Sequence, residues 1–331
     1  MRSGIAENHE GYLHEAAYYG SDEEFLSITV PFVEEGLRAG EPTLVTLGEN
    51  GTRLLKDAFG SPSGLAFRPG GDSYTRPASA IKEFHELVRS HVFAGAEQVR
   101  VVGEVPHSGT GVVWDPWARY EAAVNHALGG FPLWGVCMYD TRVTPVEVLA
   151  DVERTHPMLA TPGGGHVTNA GYVDPATFLS DYEPRYTDPL ERSAPAVELL
   201  SPTPEAARKA TAAVGRDSGL ASEEVEGLVM AVSELVTNGI RHGEPPVEFR
   251  LWSTRGRLVA IVSDRGDGPK DPFVGLVPAR QNPAEGGLGL WIAHQVCQQV
   301  TMHRTDSGFT VRLVAGARVA QPSPQPPACR H

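Results

Sequence analysis

The sequence predicts two domains of different fold class. The first is an α/β domain with a doubly wound, largely parallel sheet, and the second is an α+β domain in which helices cover one face of a sheet. Three observations predict this division. Short β-rich runs alternate with helical segments between residues 43 and 151, a Pro- and Gly-rich stretch follows at 161–204, and helices then precede strands. A length of 331 residues also suits two domains of roughly 100–200 residues each.

The N-terminal elements follow from β-rich runs and apolar stripes. The runs predict parallel strands at residues 43–47, 99–103 and 134–140, with intervening stretches long enough for crossover helices. Two apolar stripes at helical spacing predict helices that pack on this sheet. The first stripe is Phe25, Ile28, Phe32 and Leu37, and the second is Ile81, Phe84, Leu87 and Val88. No G-x-x-x-x-G-K-[ST] run follows an early strand, so this domain should not hydrolyse nucleotides through a P-loop.

The composition between the domains indicates a boundary. We expect the N-terminal domain at residues 1–180, a linker at 181–194, the C-terminal domain at 195–318 and a disordered Pro-rich tail at 319–331. The C-terminal domain should contain, in order, the elements of an α+β fold. These are helices near 204–215 and 222–242, strands near 247–253 and 257–263, a helix from about 288, and a final hairpin that turns at 306–308.

Composition and charge exclude several classes of protein. The formal net charge is −13, only four residues are Lys, and no basic run is present, which disfavours direct binding of nucleic acid. Three widely separated cysteines fit neither a disulfide framework nor a paired-cysteine zinc site. No apolar run reaches the roughly 18 residues of a membrane span, and the acidic N-terminal segment lacks a signal-peptide pattern. We therefore expect a cytoplasmic protein that does not bind membranes.

The predicted helix at 222–242 has an apolar stripe and an opposite polar face. The stripe consists of Val225, Leu228, Val229, Val232, Leu235, Val236 and Ile240. At about 100° per residue, Glu234, Asn238 and Arg241 share the polar face. A polar helix face is usually only exposed to solvent and has no further role. Whether this face belongs to a functional site therefore depends on the segments that follow it.

Those segments are rich in glycine. A β-rich run ends at Asp264 and leads into D-R-G-D-G, and G-G-L-G at 286–289 then opens an amphipathic helix. Glycines at a helix start let backbone N–H groups approach an anion, and the helix dipole favours negative charge there. The pattern therefore predicts a phosphate cradle. The acid excess lies in residues 1–194, and residues 195–318 are nearly neutral, which suits an anionic ligand.

Three motifs of the C-terminal domain resemble, in their order, the three sequence boxes of the GHKL ATPases: E-x-x-x-N-x-x-x-H, D-x-G-x-G and G-x-G. This group includes gyrase, the heat-shock-90 chaperones, histidine kinases and MutL. The resemblance covers residues 195–318 and implies a two-layer α+β domain that binds ATP with Mg²⁺. It implies that Asn238 binds Mg²⁺ and that Asp264 accepts a hydrogen bond from the adenine amino group.

The same resemblance implies roles for five further residues. Gly266 and Gly268 would form the turn beside adenine, and Gly287 and Gly289 would lie by the phosphates under a flexible lid. Thr310, in G-F-T-V, matches a family threonine near adenine, although an ordinary strand position explains it equally well.

Within this group, a small ATP domain without a helical hairpin resembles the anti-sigma-factor serine kinases. That resemblance implies that Glu234 takes the proton from a protein serine, and that the partners are a sigma factor, an antagonist protein, or both. A homodimer also fits it. Arg241 or Arg280 would offset charge on the γ-phosphate, and His242 fits the extended first box or a plain helix end equally well.

Two alternatives remain open for the C-terminal domain. One is a sensor histidine kinase, for which His156 in E-R-T-H-P is the candidate phosphoacceptor, although no long helical hairpin surrounds it. The other is a non-catalytic switch in which ATP binding alters only the affinity for a partner.

Residues 10–160 of the N-terminal domain resemble the MEDS sensory domain. The resemblance is carried by five motifs: G-L-R-A-G-E-P, V-R-V-V-G-E, Y-E-A-A-V-N, C-M-Y-D and T-H-P. The resemblance implies a RecA-like fold without a P-loop and detection of a small organic compound. The candidate sensor residues are Glu104, Tyr120, Glu121 and Asp140, with capping and packing as the alternative role. Cys137 is expected to be a buried small hydrophobe, because a zinc site from His107, Cys137 and His156 lacks ligand spacing.

Overall fold

The computed structural model describes residues 2–277 and 287–316. Arg280 and the predicted tail at 319–331 lie outside the described residues. The chain divides into two compact units. Among the described residues, the first unit comprises 2–75 and 80–178, and the second comprises 76–79 and the residues from 179 onward. The chain combines a mostly parallel sheet with a second, antiparallel sheet, as the sequence predicts.

The first unit is built on a seven-stranded sheet with the order β3-β2-β4-β5-β1-β6-β7. The strands are β1 (Leu13–Tyr19), β2 (Thr43–Thr46), β3 (Leu65–Phe67), β4 (Val99–Gly103), β5 (Leu133–Asp140), β6 (Met158–Thr161) and β7 (Gly165–Thr168). All neighbouring pairs are parallel except β6 with β7. The helices are α1 (Asp22–Ala39), α2 (Glu49–Phe59), α3 (Gly70–Ser73), α4 (Pro77–Phe93), α5 (Asp115–Ala127), α6 (Val146–Thr155) and α7 (Pro175–Asp181).

The interior strand β1 contacts helices on both of its faces, because its side chains alternate between them. Leu13 and Ala17 belong to a buried apolar cluster with Phe25 and Phe32 of α1. On the opposite face, the ring of His14 hydrogen-bonds to Asn125 of α5. The interior of this unit is therefore apolar on one face of β1 and partly polar on the other.

The second unit holds a five-stranded antiparallel sheet with the order β11-β12-β10-β9-β8. Its strands are β8 (Val197–Leu200), β9 (Glu248–Thr254), β10 (Arg257–Asp264), β11 (Gln299–Thr305) and β12 (Gly308–Gly316). Its helices are α8 (Pro204–Gly215), α9 (Ser222–His242) and α10 (Leu288–Val296). The predicted elements of this unit are thereby confirmed, and β8 adds an edge strand that the sequence did not indicate.

The main core of the second unit lies between the three helices and one face of the sheet. Leu228, Val232 and Val236 of α9 pack there with Leu251 and Leu313 of the sheet. Ile240, expected to continue the stripe of α9, is instead 54% exposed. The apolar stripe of α9 therefore ends at Val236, nearly two turns before the helix ends at His242.

Residues 186–193, within the predicted linker, pack on the opposite face of the same sheet. Leu190 contacts a small buried cluster that includes Trp252, and the indole N–H of Trp252 donates to the carbonyl of Ser193 at 2.9 Å. The guanidinium of Arg257 donates to the carboxylate of Asp188, and both side chains are almost fully buried. This segment therefore covers a face that would otherwise expose apolar surface.

Replacement of Asp188 by alanine should destabilise the protein strongly. The substitution removes the carboxylate that pairs with the buried guanidinium of Arg257. Removing one partner of a buried ion pair lowers the free energy of unfolding by about 3–5 kcal/mol. We expect a free energy of unfolding lower by that amount in urea titrations. The exposed Asp217, replaced in the same way, is the control and should change stability by less than about 0.5 kcal/mol. Equal effects of the two substitutions would contradict this account of the segment.

Candidate functional site

The first part of the candidate site lies where α9 meets the start of α10. Glu234 and Asn238 are one turn apart on α9 and half-buried, because the flanking Leu235 and Val236 fix the other face of the helix in the core. A Cβ atom at Gly289 would lie 2.9 Å from Oε2 of Glu234 and 3.3 Å from Nδ2 of Asn238. Only glycine lets the two helices approach this closely.

The start of α10 is shaped for an anion. Gly287 precedes the helix with a φ of 92°, a left-handed conformation that glycine adopts without strain. The first N–H groups of a helix have no intrahelical partner, and the helix dipole gives this end a partial positive charge. α10 is nine residues long, and its first turn begins beside Glu234 and Asn238.

Asp264, at the end of β10, forms the second part of the site. Its Oδ1 accepts hydrogen bonds from the backbone N–H of Gly266 at 2.7 Å and of Glu244 at 3.2 Å. A Cβ atom at Gly243 would overlap this carboxylate, and one at Gly239 would lie 3.6 Å from Oδ2. Because Gly239 directly follows Asn238, the Asp264 carboxylate lies close to the end of α9 that carries Asn238.

The remaining predicted residues flank Asp264. Gly268 has a φ of 74°, and a side chain there would overlap the ring of Phe309. Thr310 pairs with Ser263 across β12 and β10, and its hydroxyl lies 3.3 Å from that of Ser263. Arg241 and His242 are exposed in the last turn of α9.

The candidate sensor residues of the first unit do not share one environment. Glu104 follows β4 and accepts a hydrogen bond from the N–H of Gly48 at 3.0 Å. Asp140 ends β5 and pairs with Arg142. Tyr120 is buried, with its ring against those of Tyr74 and Trp117. Burial raises the pKa of the Glu104 carboxyl.

The fourth candidate, Glu121, lies in a buried cluster of titratable side chains. His14 of β1, Glu121 of α5, Cys137 of β5 and His156 after α6 place one ligand atom each within 4.8 Å of one another. Cys137 is thus buried as predicted, but among polar groups. His107 is not part of this cluster; its side chain accepts from the N–H of Gly109.

Burial shifts the pKa of every member of this cluster toward its uncharged form. It raises the pKa of Glu121 to about 8, against the opposing effect of a hydrogen bond from the Tyr139 hydroxyl. It lowers the pKa of His156 to about 4, and together with the neighbouring His156 it lowers that of His14 well below its ordinary value. Burial also raises the pKa of the Cys137 thiol.

Two protein families match the two units. Residues 13–157 match MEDS, described as the MEthanogen/methylotroph, DcmR Sensory domain, and residues 200–315 match the histidine kinase-like ATPase domain. The fold and the glycine-lined site of the second unit thus define a histidine kinase-like ATPase domain, preceded by a MEDS domain.

Among curated relatives, the serine-protein kinase RsbW of Bacillus licheniformis is 32% identical over 142 residues, which cover 38% of this chain and 87% of the relative. The chain belongs to the family of this kinase. The transcriptional repressor DcmR of Methylorubrum extorquens is 25% identical over 154 residues, which cover 43% of this chain and 57% of the relative.

Among solved structures, the RsbU and RsbW domains of Rv1364c from Mycobacterium tuberculosis align with 38% of this chain and 34% of their own at 20% identity. The TM-score of 0.24 is too low to support a structural argument. Among the described residues, no helix is both long and apolar enough to cross a membrane.

Proposed function

We propose that this chain is an ATP-dependent protein serine kinase of anti-sigma type that phosphorylates an antagonist protein under control of its N-terminal unit. The observation that carries the proposal is the contact of Glu234 and Asn238 with Gly289 at the start of α10. It places a carboxylate, an amide and a helix N-terminus at one point, which suits phosphoryl transfer.

The residues present fit ATP and Mg²⁺. Gly289 and Gly243 keep side chains out of the spaces beside Glu234 and Asp264. The N-terminus of α10 would receive the phosphates, and the amide oxygen of Asn238 would ligate the Mg²⁺ ion. Because Oδ1 of Asp264 already accepts two backbone N–H groups, its Oδ2 would accept the adenine amino group.

In the proposed reaction, the bound magnesium ion supplies neutralisation of charge on the phosphates. Glu234 accepts the proton of the attacking serine hydroxyl as the serine oxygen bonds to the γ-phosphorus, and the bond from that phosphorus to ADP breaks so that ADP leaves. Asn238, one turn away, fixes the metal side of the site. Gly287 and Gly289 leave the backbone N–H groups of α10 free to hold the transferred phosphoryl group. Arg241, exposed in the last turn of α9, would offset charge on that group.

A histidine kinase that uses His156 is disfavoured. The His156 side chain is completely buried, and its Nδ1 hydrogen-bonds to the carbonyl of Val152 at 2.9 Å. A phosphoacceptor must reach both the γ-phosphate and a partner protein, which this histidine cannot do in the folded state.

The binding partners of this chain, and the regulation of its kinase activity by the N-terminal unit, are proposed from its relatives and not from contacts in the structure. A relative named as a serine-protein kinase supports a protein substrate, and one named as a transcriptional repressor supports a regulatory role for the MEDS unit. We therefore propose a cytoplasmic regulator that binds a sigma factor, an antagonist protein or both, forms a homodimer, and responds to a small effector near Glu104 and Asp140.

The test is transfer of radiolabelled phosphate from ATP to small antagonist proteins encoded in the same genome. We expect acid-stable label on a serine, and an Asn238→Ala variant should bind Mg²⁺-ATP about 10- to 100-fold more weakly because it lacks the metal ligand. Acid-labile label on this chain would instead indicate a histidine kinase. Tight ATP binding without transfer to any antagonist would indicate the non-catalytic switch.

A further inference from the structure

We propose that His14, Glu121, Cys137 and His156 form a binding site for one zinc-class divalent metal ion inside the MEDS unit. The four ligand atoms are Nε2 of each histidine, Oε2 of Glu121 and Sγ of Cys137. This inference is independent of ATP binding and of the kinase proposal, because it uses only residues of the first unit.

Three of the six distances among these atoms match the edges of a tetrahedral metal site, and all six are within 4.8 Å. Nε2 of His14 lies 3.3 Å from Sγ of Cys137 and 3.5 Å from Oε2 of Glu121, and Nε2 of His156 also lies 3.5 Å from Oε2. Zinc bonds of about 2.0–2.1 Å to nitrogen, 2.0–2.2 Å to oxygen and 2.3 Å to sulfur imply tetrahedral edges of about 3.3–3.6 Å. The atoms therefore stand close to where a single ion would hold them.

The amide of Asn125 sets the tautomer of His14. Nδ2 of Asn125 donates to the carbonyls of Glu121 and Thr155 at 3.0 and 2.8 Å, so its Oδ1 must face His14. That oxygen lies 3.0 Å from Nδ1 of His14, which therefore carries the proton. Nε2 of His14 is left with its lone pair directed at the cluster, as a metal ligand requires.

Outer hydrogen bonds orient His156 and Glu121 in the same way as His14. Nδ1 of His156 donates to the carbonyl of Val152, which leaves the lone pair of Nε2 free. The Tyr139 hydroxyl donates to Oε1 of Glu121, which leaves Oε2 free. Outer hydrogen bonds to a backbone carbonyl and to a ligating carboxylate are typical of metal sites.

Two of the ligand atoms have no hydrogen-bond partner in the described structure. Oε2 of Glu121 and Nε2 of His156 are buried and unsatisfied, in side chains with no exposed surface. Each unsatisfied buried polar atom costs about 1–3 kcal/mol. These two atoms lie 3.5 Å apart, and one ion between the ligands would bond to both.

The cluster also borders enough space for an ion. A cavity of about 20 Å³ is lined by His14, Glu121 and Cys137 together with the rings of Tyr12 and Tyr74. A single water needs roughly 10–15 Å³, so the space beside these three ligands holds a water or an ion, although His156 does not line it. The aromatic wall would exclude bulk water from the site.

The donor set selects the class of metal. Two imidazoles and a thiolate suit zinc and similar transition metals, whereas Mg²⁺ and Ca²⁺ prefer oxygen ligands only. When the ion binds, the thiol proton of Cys137 and the carboxyl proton of Glu121 both leave to solvent.

The test uses the full chain, stripped with a chelator and reloaded with Zn²⁺ or Co²⁺. We expect one metal ion per chain by elemental analysis, a higher midpoint of thermal unfolding with Zn²⁺, and intense tetrahedral Co²⁺ bands with a thiolate-to-metal charge-transfer band. Metal content below about one tenth of an ion per chain in folded protein would overturn the proposal.

Cysteine variants identify the sulfur ligand. Cys137→Ser should lose the charge-transfer band, and Cys297→Ser, at the other buried cysteine, should keep it. Since Cys137→Ser can fail to fold, a variant with Cys297 and Cys329 both changed to serine leaves Cys137 as the sole thiol. Retention of the band in that variant supports the site, and its loss overturns it.

Discussion

Glu234→Gln should abolish phosphoryl transfer while leaving ATP binding nearly intact. The amide keeps the size and position of the side chain beside Gly289 but cannot accept the serine proton. Loss of a positioned general base lowers the rate by about 10²- to 10⁴-fold. We expect a loss of this size in single-turnover transfer of radiolabelled phosphate, with the dissociation constant of ATP changed less than about threefold.

The matched control for this variant is Glu226→Gln. Glu226 lies on the same helix, two turns before Glu234, and is exposed to solvent. It should transfer phosphate at the rate of the unchanged protein. Equal rates in both variants would remove Glu234 from the role of base and favour a different proton acceptor.

Asp264→Asn should weaken ATP binding and reduce the preference for ATP over GTP. Oδ1 can still accept from Gly266 and Glu244, so the local turn is kept. The new NH₂ group would face the adenine amino donor, whereas the guanine carbonyl could accept from it. Loss of a hydrogen bond to a charged group costs about 1.5–3 kcal/mol, which corresponds to roughly 10- to 100-fold in affinity.

Competition between ATP and GTP for a fluorescent nucleotide measures this preference. Asp267→Asn is the control, since Asp267 lies three residues further along the same loop and is 89% exposed. It should bind both nucleotides like the unchanged protein. An unaltered ratio of ATP to GTP affinity in Asp264→Asn would show that this carboxylate does not recognise adenine.

The C-terminal unit could be predicted closely because its signals are local and regular. The apolar stripe fixed which side of α9 is buried, and Glu234 and Asn238 therefore had to share the other side. The sequence could not show how closely α9 approaches the end of β10. Gly243, for example, directly follows α9, and the Asp264 carboxylate lies where a side chain at this position would be.

The N-terminal sheet could be predicted only in part, because the interior strand β1 contains polar residues. β1 reads L-H-E-A-A-Y-Y, and His14 and Glu15 interrupt the apolar run that marks a buried strand. Both are fully buried, and Glu15 accepts from the indole N–H of Trp134 at 2.7 Å. Hydrogen-bond partners from distant parts of the chain allow these polar side chains to be buried in the strand. A local sequence pattern does not reveal such partners.

The missed strand explains why the buried cluster was not predicted. Cys137 and His156 were considered together with His107, but His14 comes from β1 and pairs with them only through the sheet. A histidine next to a glutamate in an otherwise apolar segment was the available signal. The predicted roles of Glu104, Tyr120 and Asp140 in sensing stay predictions: Glu104 and Asp140 lie near each other at strand ends, whereas Tyr120 is buried on α5.

The most direct test of the account is a calorimetric titration of the intact chain with ATP in the presence of Mg²⁺. We expect saturable binding of one nucleotide per chain, weakened in Asn238→Ala and Asp264→Asn and retained in Glu234→Gln. Absence of binding to the folded chain at millimolar ATP would contradict it, because every role assigned to Glu234, Asn238 and Asp264 depends on a nucleotide between α9, β10 and α10.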